Sequence, residues 1–191
     1  MQSLMLQEEK KTLRKQMKKL SQEQQVSPTV FGLKQLFKQI QMLSSFTKAR
    51  AILLYAPLPG EPDLRIILGN SSRRFFFPRM QKTHLELYEW SPQAPWIVGP
   101  YGVEEPDPQQ WQKASLAEVD LALIPGIAFD PKGHRLGRGA GYFDRLLGDS
   151  SCHAIKVGIA WSWQILTNIP IEEYDVKMDF VVTPEKIFHS E

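Results

Sequence analysis

Five apolar runs of strand length punctuate the chain after residue 50: AILLY (Ala51 to Tyr55), FFF (Phe75 to Phe77), VDLALI (Val119 to Ile124), AIKVGIA (Ala154 to Ala160) and FVV (Phe180 to Val182). They are mostly continuous rather than alternating, the pattern of strands buried on both faces. Such strands belong to a largely parallel sheet with a covering layer on each side. Helical patterns between them, near Asp63 to Leu68, Gly141 to Leu147 and Trp161 to Leu166, complete the alternation. The expectation is an α/β fold: a single three-layer α/β/α domain over residues 1–191 around a largely parallel central sheet.

The first 45 residues read as two helices ahead of the sheet. On a helical wheel Leu6, Leu13, Met17 and Leu20 fall within an arc of about 60°, with Lys10, Lys11, Arg14, Lys15, Lys18 and Lys19 read as the opposing basic face. Ser27 followed by Pro28 reads as an N-cap with proline at the first helical position, and Val30, Leu33, Leu36, Phe37, Ile40 and Leu43 give a second apolar stripe. Residues Ser91 to Pro108 hold five of the 14 prolines and read as a long irregular loop.

Composition narrows the function classes. A chain of 191 residues with 42% hydrophobic and 23% charged residues can bury its own core without disulfides, and the single cysteine, Cys152, excludes an intrachain disulfide. No apolar stretch approaches the roughly 18 residues that span a bilayer, and charges begin at Glu8, so a cytoplasmic location is expected. Formal net charge is only +2. The basic first helix could lie along nucleic-acid phosphates, but that small charge and the acids Glu104, Glu105 and Asp107 argue against it. The four histidines are scattered, and His153 beside Cys152 lacks zinc-ligand spacing.

One segment carries chemistry. RLGRGAGYFDR (Arg135 to Arg145) packs three glycines, three arginines and an aspartate into eleven positions just after an apolar run. In open α/β sheets ligands collect beyond the carboxyl ends of the strands, and helix N-termini offer N–H groups to anions. The spacing is neither that of a P-loop nor that of a dinucleotide fingerprint. Asp144 beside an anion cradle suits a hard cation held between carboxylate and phosphates. It equally suits a ligand-free helix start, where an acid gains roughly 0.3 to 1 kcal/mol from the dipole. Residue chemistry alone leaves both readings open.

The wording of the segment goes further. PGIAFDPKGHRLGRGAGYFDRLL (Pro125 to Leu147) resembles the signature of the 5-formyltetrahydrofolate cyclo-ligases, also called 5,10-methenyltetrahydrofolate synthetases. Other pieces of the family pattern occur in the expected order: KKTLR (Lys10 to Arg14), YAPLPGEPD (Tyr55 to Asp63), FPRM (Phe77 to Met80), EEPDP (Glu104 to Pro108), GIAWSWQ (Gly158 to Gln164) and DVKMDFVVTPEKI (Asp175 to Ile187).

The resemblance implies an enzyme that uses ATP and Mg²⁺ to close 5-formyltetrahydrofolate into 5,10-methenyltetrahydrofolate through a phosphorylated formyl group. It implies that Lys10 and Arg14 bind ATP, and that Arg135, Leu136, Gly137, Arg138, Gly139, Ala140, Gly141, Tyr142 and Phe143 wrap its phosphates. Arg138 to Tyr142 would also touch the folate, with Ala56 and Glu61 as further substrate-binding residues. Arg138, in both sets, is the expected catalytic residue, stabilising the transferring phosphoryl group. Asp144 and Asp179 match the family's magnesium ligands.

Two positions depart from the pattern: Ala140 stands where members commonly have a third glycine, and Tyr174-Asp175 where they commonly have His-Asp. The expected partners are ATP and 5-formyltetrahydrofolate alone, with neither nucleic acid nor membrane, and the chain is expected to be monomeric.

Overall fold

The five apolar runs become five adjacent parallel strands. In the computed structural model, which describes residues 2–23, 30–69 and 72–190, the strands in chain order are β1 (Ala51–Leu53), β2 (Arg74–Met80), β3 (Leu85–Glu89), β4 (Trp96–Val98), β5 (Glu104–Pro106), β6 (Gln112–Ala114), β7 (Leu121–Pro125), β8 (Ala128–Phe129), β9 (Arg135–Leu136), β10 (Ile155–Ile159), β11 (Phe180–Val182) and β12 (Ile187–His189). The helices are α1 (Gln2–Glu23), α2 (Val30–Met42), α3 (Ser44–Lys48) and α4 (Tyr142–Leu147). An eight-stranded sheet runs β12-β11-β10-β7-β1-β2-β3-β6. From β11 to β2 every neighbouring pair is parallel, while β12 at one edge and β3 and β6 at the other are antiparallel.

Both faces of the parallel strands are buried, which explains their unbroken hydrophobicity. Ile52, Leu54, Phe75, Phe77, Leu121 and Leu123 face Leu36, Ile40 and Phe46 of α2 and α3. On the other face Leu53, Phe76, Ala122 and Ile124 meet Phe129, Leu147 and Met178. Each such large apolar side chain removed from water contributes roughly 1.5 to 3 kcal/mol. The cover on this second face is the six-residue α4, Phe129 of β8 and irregular chain.

The structure differs from the sequence reading in several places, each with a local cause. The helical patterns near Asp63 and Trp161 shrink to single 3₁₀ turns, Leu64–Ile67 and Ser162–Gln164, the first capped by the Asp63 side chain accepting the Arg65 N–H. The proline-rich segment is not wholly irregular: β4 and β5 pair as a short antiparallel ribbon within it. Val30, assigned to the apolar stripe of α2, is 69% exposed. The Ser27–Pro28 cap lies outside the described residues.

The most consequential difference concerns Lys10. It is buried, as is Met17, and on the wheel the two lie only about 20° apart, so Lys10 borders the apolar stripe instead of opposing it. That stripe packs on Ala128, Leu136 and Ile169, which places α1 against the β8–β9 hairpin. Among the described residues no helix is long and apolar enough to cross a membrane.

Candidate active site

The crossover after β1 leads to β2 on one side, while that after β7 leads to β10 on the other. The carboxyl ends of β1 and β7 therefore diverge, the position at which open α/β sheets receive ligands. A largely apolar cavity of about 160 Å³ lies there, lined by Tyr55 and Ala56 beyond β1, Pro125 and Gly126 at the end of β7, and Pro78, Met80, Tyr142 and Phe143. A second, polar cavity of about 390 Å³ is lined by Lys10 and Arg14 of α1, by Leu136, Gly137 and Gly139, and by Glu172, Tyr174 and Asp175. The two share Arg135, Gly137, Gly141 and Asp144 as a common wall.

That wall is built by the glycine segment. Gly139 (φ +107°) and Gly141 (φ +66°) adopt left-handed backbone that residues with a Cβ rarely enter, and Gly141 delivers the chain into α4. Upstream, fully buried Asp130 accepts the backbone N–H groups of Lys132, His134 and Ile169 and pairs with the His134 ring, fixing the turn of the β8–β9 hairpin. Arg135 leaves that hairpin with a side chain only 4% exposed; its Nη2 lies 2.9 Å from each oxygen of Asp144, and its Nη1 donates to the Pro125 carbonyl at 3.3 Å. Downstream, Arg145 donates to the Thr83 and Ala140 carbonyls, tying α4 to the β2–β3 turn.

Most of the residues singled out in the sequence converge here. Arg14 Nε donates to the Gly137 carbonyl at 2.8 Å. Arg138 is paired with Glu61 at 2.5 Å, and Glu61, Ala56, Ala140, Tyr142 and Phe143 line the apolar cavity. Leu136 lines the polar cavity, but it is fully buried beside Met17 and belongs equally to the core.

Lys10 reaches the polar cavity already paired, at 2.9 Å from Glu172 and in an ion pair with Asp175. Burial opposes its ammonium, but the hydrogen bonds to Asp175 and Glu172 outweigh this and hold it above the usual lysine value. Glu172 in turn is held below the usual carboxylate value, first by Tyr174 and then by Lys10.

Asp144 and Asp179 line no common cavity. Asp144 lines both cavities, whereas Asp179 precedes β11, lines neither, and accepts the Lys156 N–H at 2.7 Å with Lys156 Nζ 3.6 Å away. Asp175, four residues earlier, faces the polar cavity with Asp144. Among the described residues no three His, Cys, Asp or Glu side chains are grouped as a closed metal site. The two carboxylates, bonded here to Arg135 and to Lys10, are of the kind that holds Mg²⁺, by one or two acids plus a nucleotide's own oxygens. Sequence reasoning missed Glu172 and Asp175 as lining residues. The available signal was Tyr174-Asp175, noted only as a departure from a family pattern. It also missed Glu105, buried in the apolar cavity's wall.

Comparison with known proteins agrees with the central motif. The family model described as the 5-formyltetrahydrofolate cyclo-ligase family matches residues 6–184. The 5-formyltetrahydrofolate cyclo-ligase of Mycolicibacterium smegmatis is 30% identical over 145 residues, 72% of this chain and 75% of that protein. The probable 5-formyltetrahydrofolate cyclo-ligase of Schizosaccharomyces pombe is 30% identical over 172 residues, 80% of this chain and 84% of that one. The solved structure of Aquifex aeolicus 5,10-methenyltetrahydrofolate synthetase superimposes with a TM-score of 0.81 at 29% identity, covering 95% of this chain and 93% of its own. With the glycine segment forming the shared wall of two cavities at the sheet's switch point, the chain belongs to the 5-formyltetrahydrofolate cyclo-ligase family.

Proposed function

We propose that this chain converts 5-formyltetrahydrofolate to 5,10-methenyltetrahydrofolate at the expense of ATP. The observation that carries the reading is the shared wall: an apolar cavity suited to a flat ring system and a polar cavity, lined by Lys10, Lys11, Arg14 and Arg135 as well as by four acids, meet at Arg135, Gly137, Gly141 and Asp144. Two substrates that must exchange a phosphoryl group need this adjacency.

The formyl oxygen attacks the γ-phosphorus, and the bond to the bridging oxygen breaks to release ADP. N10 then attacks the activated formyl carbon. The carbon–oxygen bond breaks, phosphate leaves, N10 loses its proton, and the methenyl bridge remains. This chain's contribution is positioning and electrostatics. The backbone of Gly137 to Gly141 cradles phosphates, Arg14 and Arg135 hold that loop against α1 and α4, and Arg138 faces the transferring group. Mg²⁺, when bound with the nucleotide, would offset phosphate charge, and Asp144 and Asp175, which line the polar cavity, would hold it.

The test is the absorbance of methenyltetrahydrofolate formed from 5-formyltetrahydrofolate, with and without ATP and Mg²⁺. Formation only with both supports the reading. A folded enzyme that makes no product, or makes it at the same rate without ATP, overturns it.

A further inference from the structure

The polar cavity follows α1. Arg14 meets the glycine segment at the Gly137 carbonyl, Lys10 one turn earlier meets Glu172 and Asp175, and Gln7 a turn before that donates to Glu172 at 3.4 Å. All of these residues line the cavity. From Arg14 back to Gln7 the helix rises about 10 Å. The glycine segment therefore stands at one end, and Gln7, Glu172 and Tyr174 at the other.

Almost every lining residue is charged, an amide or glycine. Of the exceptions, Leu136 is fully buried beside Met17, which leaves Tyr174 as the one aromatic ring in the wall. Its hydroxyl hydrogen-bonds Glu172, and Lys10 Nζ lies 5.9 Å from the ring centroid. The residue is nevertheless 62% exposed. A phenol fastened by its polar tip keeps much of its π surface in water, where a flat partner can reach it.

A nucleoside triphosphate carries two unlike ends. Its phosphates suit arginine and open backbone, whereas its base presents flat faces that gain from stacking on an aromatic ring. In this cavity the first kind of surface lies at Arg14 and the glycine segment. The second kind is offered by Tyr174.

We propose that Tyr174 is a specificity-determining residue for the nucleotide: its ring is the platform on which the base stacks, so that purine nucleotides, with the larger ring system, are preferred to pyrimidine ones. This rests on reading the polar cavity as the ATP site. The hydrogen bond to Glu172 fixes the ring beforehand, which reduces the conformational freedom lost when the base arrives.

The experiment measures equilibrium binding of ATP, UTP and inorganic tripolyphosphate, each with Mg²⁺, to the parent, Tyr174→Ala and Tyr174→Phe, with the melting temperature of each. Tyr174→Ala is expected to raise the Kd for ATP roughly 5- to 50-fold and to narrow the preference for ATP over UTP, while changing the tripolyphosphate Kd less than about twofold. Tyr174→Phe, which keeps the ring, should stay within about threefold of the parent for ATP. Tyr174→Leu is the second ringless variant should the alanine fail to fold. An equal loss for tripolyphosphate and ATP, or a phenylalanine variant as weak as the alanine one, would show that the residue acts on phosphate through Glu172 and Lys10 and would overturn the proposal. Unchanged ATP binding in the ringless variants would overturn it as well. A parent that binds no ATP would overturn the reading of the cavity itself, a failure seen before any substitution is made.

Discussion

Lys10 and Asp175 stand 165 positions apart in the chain and meet as an ion pair beside the polar cavity, with Glu172 as the second acid on the same ammonium. The pair fastens α1 across the mouth of the site. The docking role that this pair gives Lys10 has to be separated from the nucleotide contact proposed for it.

Replacing Lys10 with Met strands two acids and should cost about 1 to 3 kcal/mol at neutral pH, moderated because Asp175 stays partly wet. The pH dependence follows from the shifts. Glu172, held low, contributes stability above its ordinary value of 4.5, which is lost as pH falls through its lower folded value. Lys10, held high, contributes below its ordinary 10.5, lost as pH rises through its higher folded value. Denaturant unfolding across pH should show the variant's deficit between those limits and its disappearance in strong acid. A deficit independent of pH would mean the loss is packing.

Asp144 and Asp175 line the polar cavity and Asp179 does not. Asn at 144 or 175 is expected to lower turnover severely and raise the Mg²⁺ needed for half-maximal rate, with Asp179→Asn keeping most of its activity. Asp179→Asn weakens the acceptor for the Lys156 N–H and should cost about 0.5 to 1.5 kcal/mol in stability. Magnesium titrations of the three variants decide this; equal effects at Asp175 and Asp179 would contradict the geometry.

Glu105 is buried with Oε2 lacking a hydrogen bond among the described residues, and burial pushes its carboxyl above the usual value despite the Met80 N–H and Arg79. A raised acid makes the folded state lose stability as pH climbs from the unfolded to the folded value. Glu105→Gln is expected to be neutral or stabilising at pH 7 and to show no such gain near pH 3. Thermal unfolding at both pH values checks it.

A methyl group built on Gly158 of β10 would lie 2.4 Å from Cε1 of the fully buried Phe129. Gly158→Ala should destabilise by roughly 1 to 3 kcal/mol through overpacking, and Phe129→Leu in the same chain should recover part of it. Chemical denaturation of the single and double variants is the measurement.

The central strands were legible because parallel strands buried on both faces write unbroken apolar runs, and AILLY, FFF, VDLALI, AIKVGIA and FVV each supply one. The antiparallel strands LELYE, QKA and IFH were not legible. They pair on one side or lie partly exposed, so their side chains are mixed and carry no such run. The two lost helices, near Asp63 and Trp161, failed for want of length: a few favourable residues cannot offset helix nucleation where the chain must turn back to the sheet.

At the site, the glycine segment itself announced where the backbone bends between the two cavities, because left-handed backbone at Gly139 and Gly141 favours glycine and a local sequence records that preference. What faces that segment was decided by packing alone. Arg135 was bound to Asp144, Arg138 to Glu61, and Lys10 to Asp175 by contacts across nine, 77 and 165 positions. The sequence determined which charges exist and which stretch of backbone bends around them. Only the tertiary structure, by bringing α1 and the residues before β11 to the same polar cavity, decided which carboxylate each cation meets, since Coulomb attraction acts through space and leaves no periodicity along the chain.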